Sequence, residues 1–152
     1  MTFGIDLAVV PHLIAHDAAE IDLVPRVRDL PRRRPSEPAQ LVDLGTINER
    51  ENLAQALILR LLTPRGSLAA LGHAQYGSRL HEIIGLRKSE ALRNRCRAYV
   101  LEVVAQEPRV EDKAVELIFD SLAETATSFV FTVAVQPRDG GEPVGVSLEV
   151  SL

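Results

Sequence analysis

Three observations predict an α+β fold. Apolar residues recur at helical spacing between about residues 50 and 107. The period changes to two after Pro108, and an Asp-Gly turn separates the last two alternating runs. Helices followed by an antiparallel meander are the α+β order. The expected architecture is about three helices, then a three-stranded antiparallel sheet, preceded by an extended N-terminal arm. Residues 1–44 are read as that arm and a Pro/Arg-rich connector, and 45–152 as the domain.

Taken in order, "FGIDLAVV" (3–10) suits a short strand. Residues 25–38, "PRVRDLPRRRPSEP", hold four prolines and five arginines without periodicity, which describes an extended or polyproline-like connector. Asn48 and Glu51 have capping-box spacing. Leu53, Leu57 and Leu61, with Ala54, Ile58 and Leu62, then form the apolar stripe of a first helix, ended at Thr63-Pro64-Arg65-Gly66. "YGSRLHEIIG" reads as a short helix that Ser78 caps and Gly85 stops. Ser89 caps the next helix, whose apolar face is Leu92, Cys96, Val100 and Val104, and Pro108 ends it. Val115, Leu117 and Phe119 alternate with polar residues, as a strand facing a core does. Phe129 to Val135 form a second alternating run and Val144 to Leu152 a third. "PRDGGEP" between them predicts a hairpin.

Composition narrows the function. With 46% hydrophobic and 25% charged residues, the 152-residue chain is that of a globular protein with room for one core. Aromatic residues make up only 4% and Trp is absent, so platforms for stacking bases or sugars are few. No apolar run approaches the roughly 20 residues that span a bilayer. The N-terminus has no basic segment before its apolar stretch, so no secretory signal is expected and the protein is read as cytoplasmic when made. Cys96 is the single cysteine, which excludes an internal disulfide. The net charge of −4 conceals an asymmetry: residues 1–97 carry +3 and residues 98–152 carry −7. An acidic C-terminal third disfavours nucleic acid as a partner.

Candidate catalytic groups are weak. His12 and His16 are four apart, but Pro11 and the lack of helical periodicity make them poor metal ligands. His81 follows Ser78 by three, with no acid placed to orient it. His73 has no visible partner, and Cys96 sits on an apolar stripe. Glu82, Glu102 and Glu107 could supply the two carboxylates of glycoside cleavage. Arg109, however, favours an ionised Glu107, whereas a general acid must hold its proton. No catalytic residue, cofactor or metal is expected, and the chain is read as a non-enzyme. Glu107-Pro108-Arg109 is then either a docking element or an internal ion pair that stiffens the corner.

"ENLAQALILRLLTPRGS", "YGSRLHEIIG" and "AQEPRVE" together resemble the gene-product-25-like baseplate family of contractile phage tails, type VI secretion and extracellular contractile injection systems. The family pattern is a leucine-rich helix ending at a Leu-Thr-x-x-Gly corner, a Phe/Tyr-Gly-Ser-x-Leu segment and a helix closing on Glu-Pro-Arg-Val. Here these are Leu62 to Gly66, Tyr76 to Leu80 and Glu107 to Val110, and the resemblance spans about 45–152. Ser67 stands where many members have a glutamate. The resemblance implies a structural protein, present in six copies per particle, that docks to wedge proteins around the inner tube or hub and initiates the sheath. It implies that Glu107, Pro108 and Arg109 dock a partner, and that the C-terminal sheet pairs with sheath subunits.

The sequence given ends with the last strand, so no later segment is expected to cover its edge. Sheath pairing is therefore expected along Val144, Gly145, Val146, Ser147, Leu148, Glu149 and Val150. The alternatives are a peptidoglycan-cleaving, lysozyme-like enzyme and a generic adaptor domain. No nucleic-acid partner or membrane insertion is expected. Assembly is expected into a tail-like particle that can be released.

Overall fold

The computed structural model describes residues 6–7, 9, 25–29, 40–44, 46–47 and 49–152, with 25–29, 40–44 and 112–114 described by backbone alone. Strands β1 (Asp6–Leu7), β2 (Pro25–Asp29), β3 (Gln40–Leu44) and β4 (Thr46–Ile47) precede helix α1 (Glu49–Leu62). Two 3-10 turns, Ala69–Leu71 and Leu80–Ile83, lead to α2 (Glu90–Ala105). Strands β5 (Val110–Phe119), β6 (Ser128–Pro137) and β7 (Val144–Ser151) complete the described chain. All strand pairs are antiparallel, so the fold is α+β: β5-β6-β7 form one sheet in that order, and β1-β4 and β2-β3 are separate two-stranded pairs.

Both α-helices follow from their sequences. Leu53, Ala54, Leu57, Ile58 and Leu61 are buried along α1. Glu49 and Glu51 lie in its first turn and Arg60 in its last, which suits the helix dipole at each end. The Ser89 hydroxyl accepts from the Leu92 N–H at 3.1 Å and so caps α2. Leu92, Cys96, Val100, Val103 and Val104 of α2 are buried against the sheet and α1. Phe129, Phe131, Val133 and Val135 of β6 have no exposed surface, as befits the central strand. Phe119 on β5 meets Phe129 edge-on, with ring centroids 5.9 Å apart. Gln136 donates from Nε2 to the Gly141 carbonyl at 2.8 Å, closing the turn between β6 and β7.

Two expectations are corrected. Two α-helices are present among the described residues, and the segment expected to begin a helix at Ser78 is a 3-10 turn. Ser78 does not cap that turn in the expected way. Its hydroxyl donates to the Leu61 carbonyl at 2.6 Å and accepts from the Leu80 N–H at 3.2 Å, so it ties the turn to the end of α1. The connector is also not wholly polyproline-like. Pro25–Asp29 pairs with Gln40–Leu44, with Pro25 opposite Leu44 and Asp29 opposite Gln40. Pro25 is tolerated there because it opens the strand, where the missing N–H costs least. The remaining connector residues 30–38, His12, His16, the Asn48 cap and most of the 3–10 segment lie outside the described residues.

Candidate functional site: a motif corner and a sheet edge

The three sequence motifs meet at one corner. After α1, the Thr63 carbonyl accepts from the Ser78 N–H at 2.8 Å, and the Ser78 carbonyl accepts from the Arg65 N–H at 2.8 Å. These two bonds form a short parallel bridge between Pro64 and Ser78. Gly77 makes the approach possible. It has φ +104°, and a Cβ there would lie 2.4 Å from the Thr63 carbonyl oxygen. The Arg65 guanidinium pairs with Glu102 of α2 and donates to Gln75 Oε1 at 2.7 Å. The end of α1, the Tyr76–Ser78 segment and the end of α2 are therefore locked together.

Glu107 sits inside this corner, 4% exposed. Arg109 donates from Nε to its Oε1 at 2.6 Å, and Arg60 Nη2 lies 3.7 Å from its Oε2. Arg109 also donates from Nη1 to Asn52 Oδ1 at 3.2 Å. The Arg60 guanidinium stacks on the Tyr76 ring, 4.6 Å from its centroid. One buried carboxylate thus joins α1 to the start of β5. Of the two roles left open by the sequence, the ion pair itself is internal. A partner reaching this corner would meet exposed Pro108 and the accessible part of Arg109, held in place by Glu107.

β7 is an edge strand: among the described residues its one strand partner is β6. The direction of its free backbone groups follows from the ladder. Leu152 N–H donates to the Thr127 carbonyl at 2.7 Å, in register with the Ser151–Ser128 pair. Antiparallel ladders alternate between bonded and non-bonded pairs. Val150, Leu148, Val146 and Val144 therefore direct their backbone groups to β6, and Gly145, Ser147, Glu149 and Ser151 direct theirs to the open edge. Val144, Val146 and Leu148 turn buried side chains to the core. Ser147 adds a cross-strand contact, its hydroxyl 2.7 Å from that of Thr132. The start of β7 is anchored by Arg50 of α1, which donates to the Pro143 carbonyl at 2.6 Å and to Glu142 at 2.8 Å.

The other sheet edge is treated differently. Asp120 N–H donates to the Val130 carbonyl at 2.9 Å, so the same alternation aims the Leu117 backbone away from β6. Arg97 of α2 then donates to the Leu117 carbonyl at 3.2 Å. A side chain thus covers part of the β5 edge.

Sequence reasoning missed an ion cluster at the opposite end of α2. Glu124 has a 3% exposed side chain and accepts two bonds from Arg93, each of 2.7 Å. Lys88 Nζ lies 2.9 Å from it and donates to the Thr125 and Ser128 carbonyls at 2.6 and 2.8 Å. Burial would raise the Glu124 pKa, but the bonds from Arg93 and Lys88 outweigh it and hold the carboxyl below its ordinary value. Arg93 is also 5.0 Å from the centroids of both Phe119 and Phe129. Arg93 and Lys88 each lie more than thirty residues from Glu124, and no local pattern marks them.

Of the remaining candidates, His73 and His81 are exposed, whereas Glu82 and Cys96 have structural positions. Bonds from Arg79 and Tyr99 pull Glu82 down to about 2, the reverse of what a general acid needs. Cys96 is buried, and burial pushes its thiol up to about 12. No group of three His, Cys, Asp or Glu among the described residues is arranged to hold a metal. No helix among them is long and apolar enough to cross a membrane. No family model, curated protein or solved structure matches this chain.

Proposed function

We propose that this chain is a structural baseplate component of a contractile injection system or phage-like tail, docking to the wedge and initiating sheath assembly by strand pairing. The observation that carries this reading is the β7 edge, where Gly145, Ser147, Glu149 and Ser151 direct backbone donors and acceptors outward. An exposed edge is a template for another strand, and main-chain bonds supply affinity while alternate side chains fix register. A second support is the corner at which the three family-like motifs meet. There Glu107 fixes Arg109 beside exposed Pro108, a rigid feature suited to a wedge protein. The internal ties of Arg65, Ser78 and Glu107 supply the stiffness that a nucleating ring requires.

On this reading the partners are wedge proteins, sheath subunits and inner tube or hub proteins. The chain is made in the cytoplasm and enters the particle in six copies. Epitope-tagged protein, followed by imaging of purified tail-like particles, tests the assignment. Label at the foot of the sheath, next to the baseplate, is the expected result. Particles that assemble fully without the protein would refute it.

A further inference from the structure

A pocket of about 300 Å³ opens beside the last residues of β7. Its apolar walls are Leu61 and Leu62 of α1, Pro64, Leu80, Ile84 and Val150. Ser78, which fastens the 3-10 turn to α1, forms part of the wall, and Glu149 and Ser151 also line it. Leu61, Ser78 and Leu80 are buried and fixed, whereas Ile84 is 61% exposed. The pocket therefore adjoins the edge at the two residues whose backbone groups point outward near the strand's end.

We propose that this pocket is the anchor site for the strand that pairs with β7, and that it takes one aliphatic side chain of that strand. This rests on the strand-pairing reading above. A strand added along the β7 edge places alternate side chains on the face shared by Val146, Leu148 and Val150. A residue of that face near Val150 meets the pocket, whose apolar walls suit a branched aliphatic side chain. Residues of the opposite face run alongside Glu149. There a lysine or arginine matches the carboxylate and the −7 charge of residues 98–152. The occupant is thus an extended, basic segment of a sheath subunit with an aliphatic anchor. Main-chain bonding alone is indifferent to sequence; the pocket gives the edge a means of choosing its partner and setting its register.

Two synthetic peptides test this against the intact protein by NMR titration. One alternates Val with Thr and Lys and carries a single Leu at the position facing the pocket; the other has Ala in place of that Leu. The amides of Gly145, Ser147, Glu149 and Ser151 report edge pairing, and the methyl groups of Leu80 and Ile84 report the pocket. The expected result is amide shifts with both peptides, methyl shifts with the Leu peptide alone, and affinity about tenfold weaker for the Ala peptide. Ile84→Glu, at an exposed position, is expected to remove that preference and leave edge pairing intact. Equal affinities with no methyl shift would overturn the anchor site and leave strand pairing standing. Absence of amide shifts with either peptide would overturn both.

Discussion

Gly77 and Thr63 pack backbone against backbone, with room for a hydrogen at the Gly77 Cα and none for a methyl group. A side chain at 77 would meet both an unfavourable φ of +104° and the Thr63 carbonyl oxygen. Gly77→Ala is expected to lower stability by about 1–3 kcal/mol from backbone strain, with the steric clash added. Gly145→Ala is the control. No atom lies within 4 Å of a Cβ there, and a change within about 0.5 kcal/mol is expected. Urea unfolding of both variants checks the contrast, and equal losses would show that the close approach does not matter.

Glu107 is nearly inaccessible and shared by Arg60 and Arg109. Arg109→Ala is expected to cost about 1–3 kcal/mol, because Arg60 remains near the carboxylate. Removing both arginines leaves a buried charge without a cation and is expected to cost about 3–5 kcal/mol. A double-mutant cycle with thermal or urea unfolding measures the coupling. Strict additivity would mean that the two cations act independently.

Acid is expected to weaken the fold through Glu82 and Glu124. Both carboxyls are held below their ordinary values, Glu82 at about 2. A depressed folded-state pKa contributes stability above the unfolded value of about 4.3 and loses it as pH falls through the folded value. For Glu82 that window runs from about 4.3 down to about 2. Stability should therefore fall across it, and Glu124→Gln should flatten part of the dependence. A pH–stability profile of the variant identical to that of the parent would contradict the role of the Glu124 cluster.

Cys96 should resist thiol reagents in the native state, because its thiol is buried and pushed up to about 12. Labelling is expected to track unfolding as denaturant is raised. Rapid modification of the native protein would show that this face of α2 opens readily.

Much of this architecture was legible in the sequence because it depends on periodicity. The stripe from Leu53 to Leu61, the Ser89 cap and the alternation in β6 and β7 all reflect burial, which local patterns record. The sequence favours a helix at Leu80–Ile83 because Ser78 has the chemistry of a cap; its hydroxyl does accept from the Leu80 N–H, but it also donates to the Leu61 carbonyl, which ties it to another element. The β2–β3 pair was missed because arginine and proline interrupt alternation and only the register with Gln40–Leu44 defines the strand. Glu107 was singled out by its proline and arginine neighbours. Its second cation, Arg60, comes from α1 and carries no sequence signal.

Ser147→Pro tests most directly the proposal that the β7 edge receives the sheath. Ser147 directs its N–H outward, so proline removes a donor from the open edge and none from the ladder to β6. The side-chain contact with Thr132 is lost as well, so Ser147→Ala serves as the control for that contact. Electron microscopy of particles assembled with each variant provides the measurement. Ser147→Pro protein is expected to fold and enter baseplates but to leave the tubes without sheath, while Ser147→Ala is expected to support normal sheath growth. Sheath of normal length on Ser147→Pro baseplates would contradict the proposal.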